Sequence, residues 1–110
     1  MRGELEVRQY ITAAGKNVFA SWLEDLADDK AAARVASRIT RLAAGNFGDC
    51  KPLRAGVWEL RIDWGPGYRV YYGVAGRTYV LLLCGGDKRK QSADIERAVA
   101  YWNDYKRRVT

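Results

Sequence analysis

Hydrophobic and polar residues alternate from Val57 to Asp63, with Trp58, Leu60 and Ile62 on one side and Glu59, Arg61 and Asp63 on the other. A period of two belongs to a half-buried strand. Tyr68 to Val74 alternates in the same way: Tyr68, Val70, Tyr72 and Val74 oppose Arg69 and Tyr71. Tyr79 to Cys84 is apolar on both faces, as expected of an interior strand covered on both sides. Gly65-Pro66-Gly67 supplies the turn between the first two strands. A three-residue loop there pairs Trp64 with Tyr68 and Asp63 with Arg69. Arg61, Asp63, Arg69 and Tyr71 then share one face. An even loop would put the Arg69 charge among Trp58, Leu60 and Ile62, at a large desolvation cost. Ala75-Gly76 makes the second hairpin turn.

Elsewhere the period lengthens. Glu4 to Ile11 reads as a first strand, with Leu5, Val7 and Ile11 inward. Asn17 caps a short helix whose stripe is Val18, Phe19, Trp22, Leu23 and Leu26. Asp28 or Asp29 caps a second helix with Ala32, Val35, Ala36, Ile39, Leu42 and Ala43 inside and Arg34, Arg38 and Arg41 outside. Gly45 stops it. Asn46 to Gly56 reads as a loop, as does Gly85 to Gln91. Ser92 then caps a last helix with Ile95, Ala98, Val99 and Trp102 buried. Asp94 and Glu96 favour its N-terminal end, and Lys106, Arg107 and Arg108 its C-terminal end. The order is β-α-α-β-β-β-α. This predicts one α+β domain over residues 1–110, an antiparallel sheet with its helices packed on one face.

Composition narrows the class. With 110 residues, 48% of them hydrophobic, the chain supports a single core. No apolar run approaches the ~20 residues of a membrane helix, and the N-terminus has no signal-peptide character. A cytoplasmic protein with no membrane partner is expected. Cys50 and Cys84 are too few for a disulfide framework and are expected to be reduced. There is no histidine, which argues against a transition-metal site, and no cofactor is expected.

Charge is concentrated. Residues 51–90 carry eight basic and three acidic side chains of a chain whose net charge is +6. A localised basic surface interleaved with aromatics points to a polyanion, RNA or DNA first. Arg61 and Arg69, on one sheet face, suit a phosphate clamp, because the planar guanidinium binds phosphate oxygens bidentately and stays charged. Lys51, Arg54, Lys88 and Lys90 suit flanking phosphates. Proton transfer would fall to Tyr71, Asp87 or a lysine, and base stacking to Tyr71 or Trp64.

The run LRAGVWELRIDWGPGYRVYYGV, followed by YVLLLCGGDKRKQSADIERA, resembles the RelE/ParE superfamily of toxins, and most closely its HigB-like addiction-module group. The resemblance implies a RelE-like fold and a type II toxin with a helix-turn-helix antitoxin partner. Many relatives cleave mRNA on the ribosome without a metal, whereas the ParE branch poisons DNA gyrase. By the same resemblance, the strand arginine of the nucleases falls on Arg61 and their later basic residue on Lys88 or Arg89. The histidines of some HigB proteins have no counterpart here. Three functions therefore follow: an mRNA interferase, a gyrase inhibitor acting by binding alone, and a non-catalytic nucleic-acid-binding module.

Overall fold

The computed structural model describes residues 5–76 and 78–109. Its elements are β1 (Glu6–Gln9), α1 (Val18–Glu24), α2 (Asp29–Ala43), β2 (Cys50–Pro52), β3 (Val57–Ile62), β4 (Tyr68–Ala75), β5 (Tyr79–Asp87) and α3 (Gln91–Val109). A 3-10 turn, Lys88–Lys90, joins β5 to α3. The five strands form one sheet in the order β1-β5-β4-β3-β2. The α+β class and the three strands around the two hairpin turns are as the alternation predicts.

Local chemistry accounts for the helix ends. The Asn17 side chain accepts from Ala20 N at 2.9 Å, and Asp28 accepts from Lys30 N at 2.9 Å. Both satisfy backbone donors that a first turn leaves free. Gly45, at φ 89°, follows α2 and donates to Leu42 O. The last helix starts differently from the sequence reading. Asp87, not Ser92, is the cap: its carboxylate accepts from Arg89 N and starts the 3-10 turn that runs into α3.

The helices divide between the two faces of the sheet. Phe19 of α1 and Val35 and Leu42 of α2 pack with Leu60, Ile62, Val70, Tyr72, Val80 and Leu82. Ala98 and Trp102 of α3 pack on the other face with Val57, Tyr71, Leu81 and Leu83. Packing of all helices on one face is thus corrected. The reason lies in Val57, Tyr71 and the doubly apolar β5, which leave the second face half greasy and in need of cover. Two strand glycines serve this packing. Gly73 lets the Trp102 ring lie against one face, and Gly85 does the same for Trp22 on the other; a Cβ at either site would enter the indole.

Three further expectations change. The sheet is mixed rather than antiparallel, because β1 runs parallel to β5. Just past the end of β1 it is Tyr10 that is buried, while Ile11 is exposed; Glu4 lies outside the described residues. The segment read as a loop contains edge strand β2, with Lys51 opposite Glu59.

Candidate functional site

The site grows from the β3–β4 hairpin. Ile62 and Tyr68 are its last pair, so the turn has five residues rather than three. Gly65 and Gly67 adopt φ values of 56° and 84° there. Five and three are both odd, so the faces are as expected. The register is not: Arg61, and not Asp63, lies opposite Arg69. Lys88 N donates to Gly67 O at 3.1 Å, which ties the end of β5 to the turn. Arg69 Nη1 donates to the same carbonyl at 3.2 Å.

Like charges directly across a ladder repel, and each arginine here has its own carboxylate. Arg61 Nε lies 3.6 Å from Asp49 Oδ2. Arg69 Nε lies 3.4 Å from Glu59 Oε2. Glu59 is fully buried under α3 and also accepts from Gln91 Nε2 at 2.9 Å. From the opposite face Arg38 Nη1 donates to the Arg61 carbonyl at 3.1 Å, fixing the backbone of that residue. Arg61, Arg69 and Lys88 open together on a cleft of about 310 Å³, with Asp49, Asp63 and Tyr68 also on its wall. Lys88 has no carboxylate within ion-pair distance among the described residues. The cleft therefore holds two oriented guanidinium groups and a free ammonium, an arrangement suited to an anion.

The other expected site residues scatter. Tyr71 is fully buried beside Glu59, and burial, then the Glu59 charge, pushes its hydroxyl well above the usual phenol range. Its ring has no face open for a base. Asp87 is engaged with Arg89 at 2.8 Å, and hydrogen bonds from the Arg89 side chain and backbone hold its carboxyl below the ordinary range. Trp64 faces α2: its Nε1 donates to Asp28 and Arg34 covers its ring at 4.0 Å. Lys51 is exposed on the face that carries Glu59 and Arg61. Arg54 lines a separate hollow against α3, and Arg89 and Lys90 are exposed on the 3-10 turn. Sequence reasoning missed Tyr68, Asp49 and Glu59. Alternation places Tyr68 with the core, and it does pack against that cluster while also bordering the cleft. The signal for Glu59 was its position two residues before Arg61 on the same face.

The fold and cleft define a small α+β protein with a cationic recess at one end of its sheet. The chain belongs to the family described as phage-derived protein Gp49-like (DUF891), which matches residues 21–100. This is a RelE/HigB-like toxin family of toxin–antitoxin modules. An uncharacterized protein of Haemophilus influenzae is 51% identical over 80 residues, covering 73% of this chain and 81% of that protein. Among the described residues no helix is long and apolar enough to cross a membrane.

Proposed function

We propose that this protein is the toxin of a type II module and acts as a metal-independent, ribosome-dependent mRNA endoribonuclease, blocking translation. The observation that supports this most is the Arg61–Arg69 pair, opposed across two strands and sharing one cleft with Lys88. In metal-free RNA cleavage the 2′-oxygen attacks the adjacent phosphorus. The O2′–P bond forms, the P–O5′ bond breaks, and the products are a 2′,3′-cyclic phosphate and a 5′-hydroxyl end. One proton leaves the 2′-hydroxyl and one reaches O5′. Two guanidinium groups opposed across one strand pair are suited to the charge that grows on the non-bridging oxygens.

Proton handling shifts to groups that open on the cleft. Asp63, exposed and without an ion pair among the described residues, serves as acceptor; Lys88 and Tyr68 serve as donors. Tyr71 and Asp87, candidates from sequence, are buried or already engaged. The partner in the resting module is a helix-turn-helix antitoxin with an acidic segment that covers the basic cleft.

Induction in a bacterium followed by mapping of mRNA 5′ ends tests this reading. New 5′-hydroxyl ends within translated frames are expected from wild type and not from Arg61→Ala. Growth arrest without new ends, accompanied by loss of gyrase supercoiling, would transfer the toxin to the gyrase-inhibitor class.

A further inference from the structure

A second basic recess adjoins the first. It encloses about 160 Å³ between α2 and the end of β3, and is lined by Arg34, Ser37, Arg38, Arg41, Ile62 and Asp63. Ile62 and Asp63 also line the Arg61–Arg69–Lys88 cleft, so the two recesses meet at these residues. Arg34, Arg38 and Arg41 stand at i, i+4 and i+7, which places them on one helix face spanning about 10 Å.

Among the described residues these arginines have no carboxylate partners. Among the described residues, every arginine of β1, β3, β4 and α3 makes an ion pair, whereas Arg34, Arg38 and Arg41 make none. Like charges at these spacings cost an isolated helix stability. Among the described residues two of the side chains have polar or ring partners: Arg38 binds the Arg61 carbonyl and Arg34 covers Trp64. The Arg41 side chain is exposed and makes no hydrogen bond or ion pair among the described residues. The row is thus a set of unneutralised cations aimed along a recess that continues the first cleft.

We propose that the α2 row is a phosphate-binding track for single-stranded RNA, holding nucleotides next to the one seated between Arg61 and Arg69. This rests on the first cleft being the reactive site. Cations spaced along a helix, one turn apart, match a ligand that repeats its negative charge once per nucleotide. Asp63 stands where the strand would pass from one recess to the other. Among the described residues it is the single carboxylate of the second recess, so its charge opposes that passage.

The test is NMR titration with 2′-O-methyl RNA of four and nine nucleotides, in which the nucleophile is blocked, over a range of salt. In the Arg34→Ala/Arg41→Ala variant the nine-mer should lose roughly 25-fold in affinity at 0.1 M salt. Its log–log salt slope should shrink by about 1.4, the value for two phosphate contacts on a single strand. Arg41→Ala alone, which removes no side-chain hydrogen bond or ion pair among the described residues, should shrink the slope by about 0.7. Four-mer affinity should be unchanged in both, and Asp63→Asn should tighten the nine-mer. A nine-mer affinity and slope equal to wild type, or an equal loss on both lengths, overturns the track. So does a nine-residue polyglutamate that binds as tightly as the nine-mer and suffers the same loss, which would assign the row to an acidic protein partner. Failure of the nuclease reading looks different: Arg61→Ala would then leave four-mer binding and growth arrest intact.

Discussion

Arg61 and Arg69 lie directly opposite one another on adjacent antiparallel strands, and each leans on a different carboxylate, Asp49 and Glu59. The two carboxylates are not equivalent. Asp49 is exposed, and water weakens its hold on Arg61; Glu59 is fully buried and holds Arg69 in a medium where charge interactions are strong. Arg61 is therefore the more adjustable member of the pair and Arg69 the fixed one.

Arg61→Ala should remove toxicity without unfolding the protein. The side chain is 40% exposed and contributes nothing to either hydrophobic cluster. Loss of one contact that acts on the transition state costs about 100- to 1000-fold in rate. Arg61→Lys should rescue poorly, since a point charge lacks the bidentate fork. Growth arrest at matched expression, read beside circular dichroism melts, decides this. Undiminished killing by a folded Arg61→Ala would sink the clamp.

Glu59→Ala should be destabilising out of proportion to its size. It leaves the largely buried Arg69 guanidinium without a partner, and breaking a buried pair costs about 3–5 kcal/mol. Replacing both residues, as Glu59→Leu with Arg69→Met, should recover much of that loss. Urea unfolding of the single and double variants measures the coupling, and equal losses in the two would refute it.

Gly85→Ala should cost about 1–3 kcal/mol, because the new methyl group enters the space of the Trp22 ring. In a Trp22→Ala background the penalty should vanish. A penalty that persists there would mean that backbone, not the indole, limits the site.

Acid should destabilise the fold over a narrow window. The carboxyl groups of Asp28, Asp87 and Asp104 are held below their ordinary range, first by hydrogen bonds from Trp64, Arg89 and Tyr10 respectively. Folded-state values below the unfolded one stabilise the protein above the unfolded value, about 3.9. That stability is lost as pH falls through the folded values. Urea midpoints should therefore be insensitive to these groups between pH 5 and 7 and drop below about pH 4. In Asp104→Asn the drop should be shallower; an identical acid limb would exclude that residue.

The two thiols should separate by reactivity. Burial pushes the Cys84 thiol up to about 12, and it is enclosed between its own strand, β5, and α3. Cys50 is only partly buried on the edge strand. Iodoacetamide at pH 8 should label Cys50 alone in the native protein and both in urea, as read by mass spectrometry.

Much of this fold was legible because the informative signals are local. Alternation along β3 and β4 depends only on the two-residue repeat of an extended chain, so Arg61 and Arg69 could be placed on one face before any coordinates. The Asn17 and Asp28 caps and the Gly45 stop follow from the hydrogen-bonding needs of a helix end, which neighbouring residues satisfy. The continuous apolar run of β5 announced a strand covered on both sides. Parity even survived an error in turn length, since moving a hairpin register by a whole residue pair leaves each side chain on its face.

Tertiary structure decided what depends on distant partners. Sequence alone does not place α3 on the Glu59 face, because its Trp102 stripe would suit either side until Gly73 and Val57 present a flat greasy patch. Burial of Glu59 and Tyr71 follows from that choice, and it turned a supposed solvent-facing polar surface into an anchored base for Arg69. Arg38, read as an outward residue, bonds across the interface to the Arg61 carbonyl because β3 ends beneath α2. The cationic cleft itself joins residues from two hairpin strands and the turn after β5. Charge pattern named its members, but only the packed sheet sets their separation, since no local preference of the chain specifies a distance between strands.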